Sequence, residues 1–355
     1  GEIIKGDTII GTDGAGSVIR NAMLYGGVER FNFSQQFLDH GYKELHIPKQ
    51  IPKETPKQNR LTKWIDKIKQ FPIFNQPSKT LTGNPELEFN ALHIWARHSF
   101  MMIALPNFDG SFTCTMFLAH KGENSFEEIS SRGLTQINAD QKNNFDLSAP
   151  SAKSAAKSLL DFFQTNFPDA IPLMPTLVED FFTNPTGNLG TIKCFPWNVG
   201  GKSLLIGDSA HAVVPFYGQG MNASFEDCRI LNQLIDEHDT NWEKIFDEFT
   251  QIRKPNTDAI ADMAEENFYE MRDAVADPIF QRKRELETKL EQTFPDYFSK
   301  YSLVTFREDI PYSEARKRGN AQDKLLMKIC EKVENVSEID LNEVMMQISS
   351  INSGV

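Results

Sequence analysis

The sequence predicts a mixed α/β protein, and three patterns along its 355 residues indicate this class. A short apolar run at residues 204–206 reads as a buried strand that delivers Asp208 to a glycine-lined helix start. Residues 91–118 alternate between the two faces of a sheet, as strands do. Beyond residue 241 the periodicity is mostly helical to about residue 298. Sheets and helices therefore both contribute to the fold.

Composition and charge narrow the possible partners. An apolar fraction of 40% can fill one large core or two moderate ones. The formal net charge of −12 argues against nucleic acid as the main partner, because phosphate binding needs a basic surface. The four cysteines show neither metal-ligand spacing nor a disulfide framework, so we expect core thiols, no metal and a reducing, cytoplasmic location. No apolar run reaches the roughly 18 residues of a membrane span, so we expect no transmembrane anchor.

The first residues predict a strand, a turn and a helix. Residues 7–11 read as a short buried strand, and Ser17 follows a glycine turn as a helix start. Gly14-Ala15-Gly16 resembles a dinucleotide fingerprint, but Ile19 stands where the third glycine belongs, so an ordinary strand-turn-helix remains the alternative. Because the chain begins at Gly1 inside this pattern, we expect a fragment that starts within a domain.

Further strands and helices follow. Residues 41–48 read as a strand, and residues 101–117 as a hairpin with Met101, Ile103 and Leu105 on one face. Phe112, Cys114 and Met116 alternate after the turn, with Phe117 on the opposite face from them. Helical periodicity covers residues 151–166 and 222–237.

An insertion at residues 51–85 differs from its surroundings. Residues 51–80 hold seven lysines and arginines against only Glu54 and Asp66, and a helix over 61–71 would be amphipathic. One interpretation is a surface helix packed on its own domain. The other is a contact with a membrane surface or a protein partner.

The region 204–227 suits a flat, electron-rich ligand. Gly218 and Gly220 flank Gln219 and allow backbone N–H groups to approach a ring closely. A helix from about Asn222 directs its positive end to the same place. These features favour a cofactor that becomes anionic.

Two motifs together resemble the FAD-dependent aromatic hydroxylases. Asp13-Gly14, with Ser17 and Arg20, resembles the DG motif of that family, and residues 207–211, GDSAH, resemble its GD motif. The resemblance is strongest to the branch that hydroxylates kynurenine. It covers most of residues 5–310, through segments 40–48, 92–117, 166–173, 215–228, 267–272 and 301–306.

The resemblance implies the group A flavin monooxygenase fold. Residues 1–35 would be part of an FAD-binding domain, 36–185 a substrate-binding domain with a mixed sheet, 186–240 more of the FAD-binding domain, and 241–355 a C-terminal helical region. The family's N-terminal GxGxxG strand, and an arginine and a tyrosine that complete its carboxylate clamp, have no match here. We therefore expect half of the FAD site to lie outside this chain.

The resemblance also implies site residues. Asp208 would contact the ribityl chain, and Met221 and Asn222 the pyrimidine end of the flavin. The full set implied for the cofactor is Asp13, Gly14, Arg20, Gly207, Asp208, Gly220, Met221 and Asn222. Asn267 and Tyr301 would bind the substrate carboxylate. The residues implied around the ring are Leu92, Met101, Ile103, Leu105, Phe117 and Met271, with Pro215, Phe216, Tyr217 and Gln219 between ring and flavin.

The implied activity is the conversion of L-kynurenine to 3-hydroxykynurenine. NADPH would reduce FAD, and O₂ would add to give a C4a-hydroperoxide that hydroxylates the ring. No side-chain base is required, so His93 and His211 are interpreted as structural. A related hydroxylase of another aromatic acid and an inactive fragment or interaction module are the alternatives.

Overall fold

The computed structural model describes residues 5–49, 87–88, 90–131, 150–274 and 277–354. They fall into two compact units: unit 1 is Gly1–Leu38 with Asn188–Val355, and unit 2 is Asp39–Gly187. The insertion at 51–85, with its expected helix at 61–71, lies outside the described residues.

The strands within the described residues are short except for the second. They are β1 (Ile9–Gly11), β2 (Asn32–Ile47), β3 (His93–Ala96), β4 (Met101–Pro106), β5 (Phe112–Ala119), β6 (Gly187–Phe195), β7 (Asn198–Val199) and β8 (Ser203–Leu205).

Helices dominate the second half of the chain. They are α1 (Val18–Tyr25), α2 (Phe126–Ser131), α3 (Pro150–Asn166), α4 (Leu177–Thr183), α5 (Asp208–His211), α6 (Gly220–His238), α7 (Trp242–Asp273), α8 (Pro278–Thr293), α9 (Lys300–Thr305), α10 (Tyr312–Cys330) and α11 (Leu341–Gly354). A 3₁₀ turn at Pro215–Tyr217 precedes α6. The helical prediction for the second half is confirmed.

A three-stranded sheet in unit 1 has the order β1-β8-β7. β1 runs parallel to β8, so the chain leaves both strands at the same edge of the sheet. The prediction that β1 is buried was wrong for Ile9, which is 58% exposed, because among the described residues β1 pairs with a strand on one side only. The buried core beside this sheet includes Trp197, Leu204 and Phe246.

The two helix starts near this sheet differ in how well they were predicted. Ser17 caps α1, as expected, and its hydroxyl accepts a hydrogen bond from the amide of Arg20 at 2.9 Å. The long helix begins at Gly220, two residues before the expected Asn222. Asp208 starts a separate one-turn helix, α5, which was not expected.

Unit 2 contains the hairpin, within a run of neighbouring strands of order β3-β4-β5-β2. Met101 pairs with Phe117, and Ala104 with Cys114. Residues paired across antiparallel strands share a face, so Met101, Ile103 and Leu105 lie on the same face as Phe117, as the alternation predicted. The opposite face, including Ala104 and Cys114, packs into the core of the unit. β2 begins at Asn32, nine residues before the predicted start.

The C-terminal helices enclose a further apolar cluster, which includes Leu286, Leu326 and Ile348. Within the described parts of the chain, no helix is both long and apolar enough to cross a bilayer.

Candidate functional site

A cavity of about 670 Å³ in unit 1 opens between the turns that follow β1 and β8 and the start of α6. This volume is within the usual range for small-molecule sites, about 300–1,000 Å³. Five residues implied for the cofactor line it, and so does Pro215. The complete lining is Thr12, Gly14, Ile206, Gly207, Asp208, Val213, Pro215, Gly218, Gly220, Met221, Ser224 and Cys228.

Asp208 is presented to this cavity by the turn after β8. Its neighbours Gly207 and Ser209 are buried, whereas Asp208 itself is exposed. Gly207 has φ 60° and ψ −147°, a conformation that side-chain-bearing residues rarely adopt. The Ser209 hydroxyl lies 2.7 Å from the carbonyl oxygens of both Gly11 and Ile206, which ties the turn to β1. The backbone at Asp208 is therefore held in place, and its exposed side chain is accessible to a ligand.

A buried network supports the turn from behind. Asp227 has no exposed surface, and its Oδ2 accepts hydrogen bonds from the amide of Gly207 at 2.8 Å and from Nε2 of His211 at 2.6 Å. Its Oδ1 accepts from Nε of Arg253 at 2.7 Å. Burial acts to raise the pKa of Asp227, but the hydrogen bond and charge of His211 and the charge of Arg253 outweigh it and hold that pKa below its ordinary value.

His211 has a structural place in this network, as expected. His211 is 3% exposed, and its ring lies 5.2 Å from the ring of Trp197, which has no exposed surface. Arg253 also pairs with Glu226 and donates to the carbonyl oxygen of Ala223 at 3.1 Å. Through these bonds the network joins the turn at Gly207 to both α6 and α7.

In the DG motif, the side chain of Asp13 accepts hydrogen bonds at the start of helix α1. Oδ2 of Asp13 accepts from the amide of Val18 at 2.7 Å, and its Oδ1 accepts from the Ser17 hydroxyl at 2.6 Å. Burial would raise the pKa of Asp13, but these hydrogen bonds lower it below its usual value. Asp13 does not line the cavity, whereas Gly14 does.

Arg20 also lies outside the cavity lining. Its guanidinium group is 2% exposed and donates to the carbonyl oxygens of Ser209, at 2.7 Å, and Ala15. The group lies 4.9 Å from the centre of the Phe33 ring. Arg20 thus joins the two turns that border the cavity, and its contact with a cofactor stays a prediction.

The start of α6 supplies donors on the opposite side of the cavity. Gly218 has φ 67° in the left-handed region, and a Cβ on Gly218 or Gly14 would meet no atom within 4 Å, so open space lies beside the backbone at both positions. No side chain caps α6, and Met221 in its first turn is 69% exposed. The first amides of a helix lack intrahelical partners and carry partial positive charge.

These features fit FAD. A carboxylate at Asp208 can accept hydrogen bonds from the hydroxyl groups of a ribityl chain. The uncapped amides of α6 can stabilise negative charge on a reduced ring. The open space beside Gly14 and Gly218 allows a flat ring to approach the backbone.

Several residues implied for the substrate come together in unit 1. Nδ2 of Asn267 donates to the carbonyl oxygen of Phe216 at 2.8 Å and lies 3.4 Å from Sδ of Met271. The rings of Tyr217 and Tyr301 stack at 5.9 Å with an interplanar angle of 21°. Asn267, Met271 and Tyr301 are therefore all linked to the 3₁₀ turn at Pro215–Tyr217 that borders the cavity.

The remaining substrate residues belong to unit 2. Met101 and Phe117 are 0% and 1% exposed, whereas Leu105 is 47% exposed on the same face. Leu92 is 46% exposed and precedes β3. Nε2 of His93 lies 2.8 Å from the carbonyl oxygen of Glu88, as suits a structural role.

Sequence reasoning missed part of the site. Ser224 and Cys228 line the cavity from successive turns of α6, and helical spacing from Gly220 could have indicated them. Asp227 and Arg253 were missed because a charged pair in a helical sequence ordinarily reads as a solvated face.

Comparisons with known proteins agree with this site. Residues 189–264 match the family model described as FAD binding domain, and this range contains most of the cavity lining. A solved structure of a 2-methyl-3-hydroxypyridine-5-carboxylic acid oxygenase is 16% identical to this chain. Its TM-score is 0.47, and the match covers 91% of this chain and 62% of that chain.

Curated relatives are much more similar. The kynurenine 3-monooxygenase of Flavobacterium johnsoniae is 40% identical over 336 residues, covering 94% of this chain and 62% of the relative. That of Myxococcus xanthus is 40% identical over 349 residues, with 97% and 62% covered. That of Dictyostelium discoideum is 39% identical over 355 residues, with 96% and 65% covered.

The chain thus spans about three fifths of the length of the curated relatives it matches. The match runs through nearly all of this chain and includes the turns and helix start that form the cavity. The chain is therefore similar to the kynurenine 3-monooxygenases over nearly all of its own length, and its residues 189–264 match the model of an FAD binding domain.

Proposed function

We propose that the protein carrying this chain hydroxylates L-kynurenine to 3-hydroxykynurenine, with FAD as cofactor, NADPH as reductant and O₂ as oxidant. The observation that carries the proposal is the exposed carboxylate of Asp208 at a glycine-lined cavity inside the matched FAD binding domain. The 40% identity to kynurenine 3-monooxygenases supports the choice of substrate.

The cofactor and the protein side chains would have separate roles in this reaction. Bound FAD would supply the redox chemistry, taking two electrons from NADPH and activating O₂. In the overall reaction one oxygen atom enters the ring and the other leaves as water. The protein would bind and orient the substrate and exclude water, which needs no side-chain base.

Asn267 is suited to bind the substrate carboxylate. An amide nitrogen has two N–H donors, and Asn267 uses one of them on the carbonyl oxygen of Phe216 at 2.8 Å. Among the described residues, the acceptor recorded for the other is the thioether of Met271, a weak acceptor, at 3.4 Å. A carboxylate would replace that sulfur as the acceptor at little cost and leave Met271 to pack against an aromatic ring.

Tyr301 supports the same end of the site. Its ring is fixed against Tyr217, yet it remains 42% exposed. No partner within the described parts of the chain bonds its hydroxyl group, which can therefore donate to a ligand. Burial raises the pKa of Tyr217, so the hydroxyl group of this ring, which stacks on Tyr301, keeps its proton at physiological pH.

The test is turnover by the complete protein. We expect it to bind FAD, to oxidise NADPH faster when L-kynurenine is added, and to form 3-hydroxykynurenine, measured by chromatography. Asp208→Ala should weaken FAD binding about 10- to 100-fold, as expected for lost hydrogen bonds to a charged group. Asp236→Ala, on the exposed side of α6, is the matched control and should bind FAD normally.

Two results would contradict the proposal. A complete protein that binds no FAD would exclude a flavin hydroxylase. A flavin-containing protein that hydroxylates a different aromatic acid, but not kynurenine, would exclude this substrate while keeping the class of enzyme.

A further inference from the structure

Gln219 lies between the 3₁₀ turn at Pro215–Tyr217 and the first turn of α6, and its side chain is oriented by two donors. It is only 6% exposed. Its Oε1 accepts hydrogen bonds from Nδ2 of Asn222 at 3.0 Å and from the hydroxyl of Tyr312 at 3.1 Å. An amide oxygen has two lone pairs, so both acceptor sites of Gln219 are filled by the protein.

The nitrogen of the same amide is left for another partner. Among the described residues, none accepts a hydrogen bond from Nε2 of Gln219. A side-chain amide can turn over and exchange its oxygen for its nitrogen, and in this structure Asn222 and Tyr312 both bond the oxygen, which leaves the nitrogen as the available end. With Oε1 occupied, Gln219 can offer a ligand only N–H groups.

Tyr312 is firmly placed to act as one of these donors. It lies 93 residues beyond Gln219 and is the first residue of α10. The next residue, Ser313, donates through its amide and hydroxyl to Oδ1 of Asn256 on α7, at 3.1 and 2.9 Å. Burial raises the pKa of Tyr312 to about 12, so its hydroxyl keeps its proton throughout the physiological range.

We propose that Tyr312 is a positioning residue: together with Asn222 it fixes the amide of Gln219 so that the site presents hydrogen-bond donors to an acceptor on the bound ligand. The C-terminal helix α10 would thereby contribute to ligand orientation; Gln219 and Tyr312 both lie outside the cavity lining, and Gly218 and Gly220 on either side of Gln219 belong to it. This role rests on the proposed function, because it is the substrate of that reaction whose orientation Gln219 would control.

The test uses Tyr312→Phe, Gln219→Ala and the double variant in the complete, FAD-loaded protein. Tyr312→Phe removes one hydroxyl and keeps the ring, so we expect the KM for L-kynurenine to rise about 3- to 10-fold with a much smaller change in kcat. Since Tyr312 acts through Gln219, adding Tyr312→Phe to Gln219→Ala should raise KM by less than about twofold. Tyr25→Phe, which alters an 83% exposed tyrosine, is the control and should leave KM unchanged.

The outcomes separate the two proposals. Equal effects of Tyr312→Phe in the presence and absence of Gln219, or an unchanged KM together with a lowered Tm, would overturn the positioning role and reduce Tyr312 to a structural residue. A wild-type protein that binds FAD but does not act on kynurenine would instead overturn the proposed function, and the positioning role with it.

Discussion

Oδ2 of Asp227 accepts a hydrogen bond from the amide of Gly207 at 2.8 Å, so a carboxylate with no exposed surface fixes the turn that presents Asp208. Oδ1 of the same carboxylate is bonded by Arg253 at 2.7 Å. A buried charge pair contributes little net stability compared with apolar residues, but removal of one partner leaves an uncompensated charge. The turn therefore depends on the charge of Asp227 and not only on its shape.

Asp227→Asn should destabilise unit 1 and weaken FAD binding together. The amide has the shape of the carboxylate but directs N–H groups at donors, so we expect the free energy of unfolding to fall by about 3–5 kcal/mol. Urea unfolding and FAD titration measure the two effects. Glu237→Gln, at an exposed position of α6, is the control and should change neither.

The same substitution has a pH signature. Because the pKa of Asp227 is lowered in the folded protein, its contribution is present above the unfolded value of about 3.9 and is lost as pH falls through the folded value. The stability difference between wild type and Asp227→Asn should therefore shrink in acid. A difference that stays constant down to pH 3 would show that the carboxylate charge is not responsible.

Cys228 should report cofactor binding. The other three cysteines are buried, and burial raises the pKa of Cys114 and Cys194 to about 12, so their thiolates are scarce. Cys228 is exposed and lines the cavity. We expect a maleimide to label Cys228 first and bound FAD to slow the labelling, measured by peptide mass spectrometry.

Cys228→Ser supplies the control for this labelling, since the rapidly modified peptide should disappear. Equal labelling rates with and without saturating FAD would place the cofactor away from this side of α6.

Asn267→Ala should impair substrate binding more than FAD binding. A hydrogen bond to a charged carboxylate is worth about 1.5–3 kcal/mol, so the KM for L-kynurenine should rise by roughly 10- to 150-fold. Steady-state kinetics at saturating NADPH measure this change. Gln251→Ala, at an exposed position of the same helix α7, is the control and should leave KM unchanged. If Asn267→Ala leaves KM unchanged, the residue is not part of the carboxylate site.

Lys43 should make the stability of unit 2 depend on pH in the alkaline range. It is 7% exposed, and burial lowers its pKa to about 8. Its Nζ donates to the carbonyl oxygen of Asn184 at 2.7 Å and lies 5.0 Å from the centre of the Phe181 ring. Between pH 8 and about 10.4, the unfolded chain retains a proton that the folded protein has lost, so stability rises with pH.

Comparison with Lys43→Met isolates this effect. Wild type should gain stability relative to the variant as pH rises from 8 to about 10, in chemical unfolding at several pH values. Lys49→Met, at an exposed position, should follow wild type throughout. Parallel curves for wild type and Lys43→Met would contradict the lowered pKa.

Local patterns explain what could be predicted from the sequence. The cap at Ser17 and the hairpin at 101–117 depend on neighbouring residues alone, and both are found where they were expected. The burial of Ile9 was overestimated, because apolar composition does not reveal whether a strand has neighbours on both sides.

Contacts distant in the sequence explain the rest. Asp227 meets His211 and Arg253, which are 16 and 26 residues away, and Tyr312 reaches Gln219 across 93 residues. No local spacing distinguishes such residues from solvated polar positions on a helix. Residues such as Asp227 and Tyr312, which hold other residues in place through hydrogen bonds, were therefore much harder to predict than the residues that line the cavity.

Alternate residues of β4 lie on opposite faces of the strand, so packing into the core and contact with other molecules can depend on different residues. Met102 and Ala104 face the core of unit 2, whereas Ile103 and Leu105 face the other way. Substitutions at the first pair should alter folding, whereas under the proposed function those at the second should alter which substrate is accepted. Under that function, selection can change substrate preference without loss of stability, provided that β4 keeps its length, since loss of a single residue would exchange the two faces.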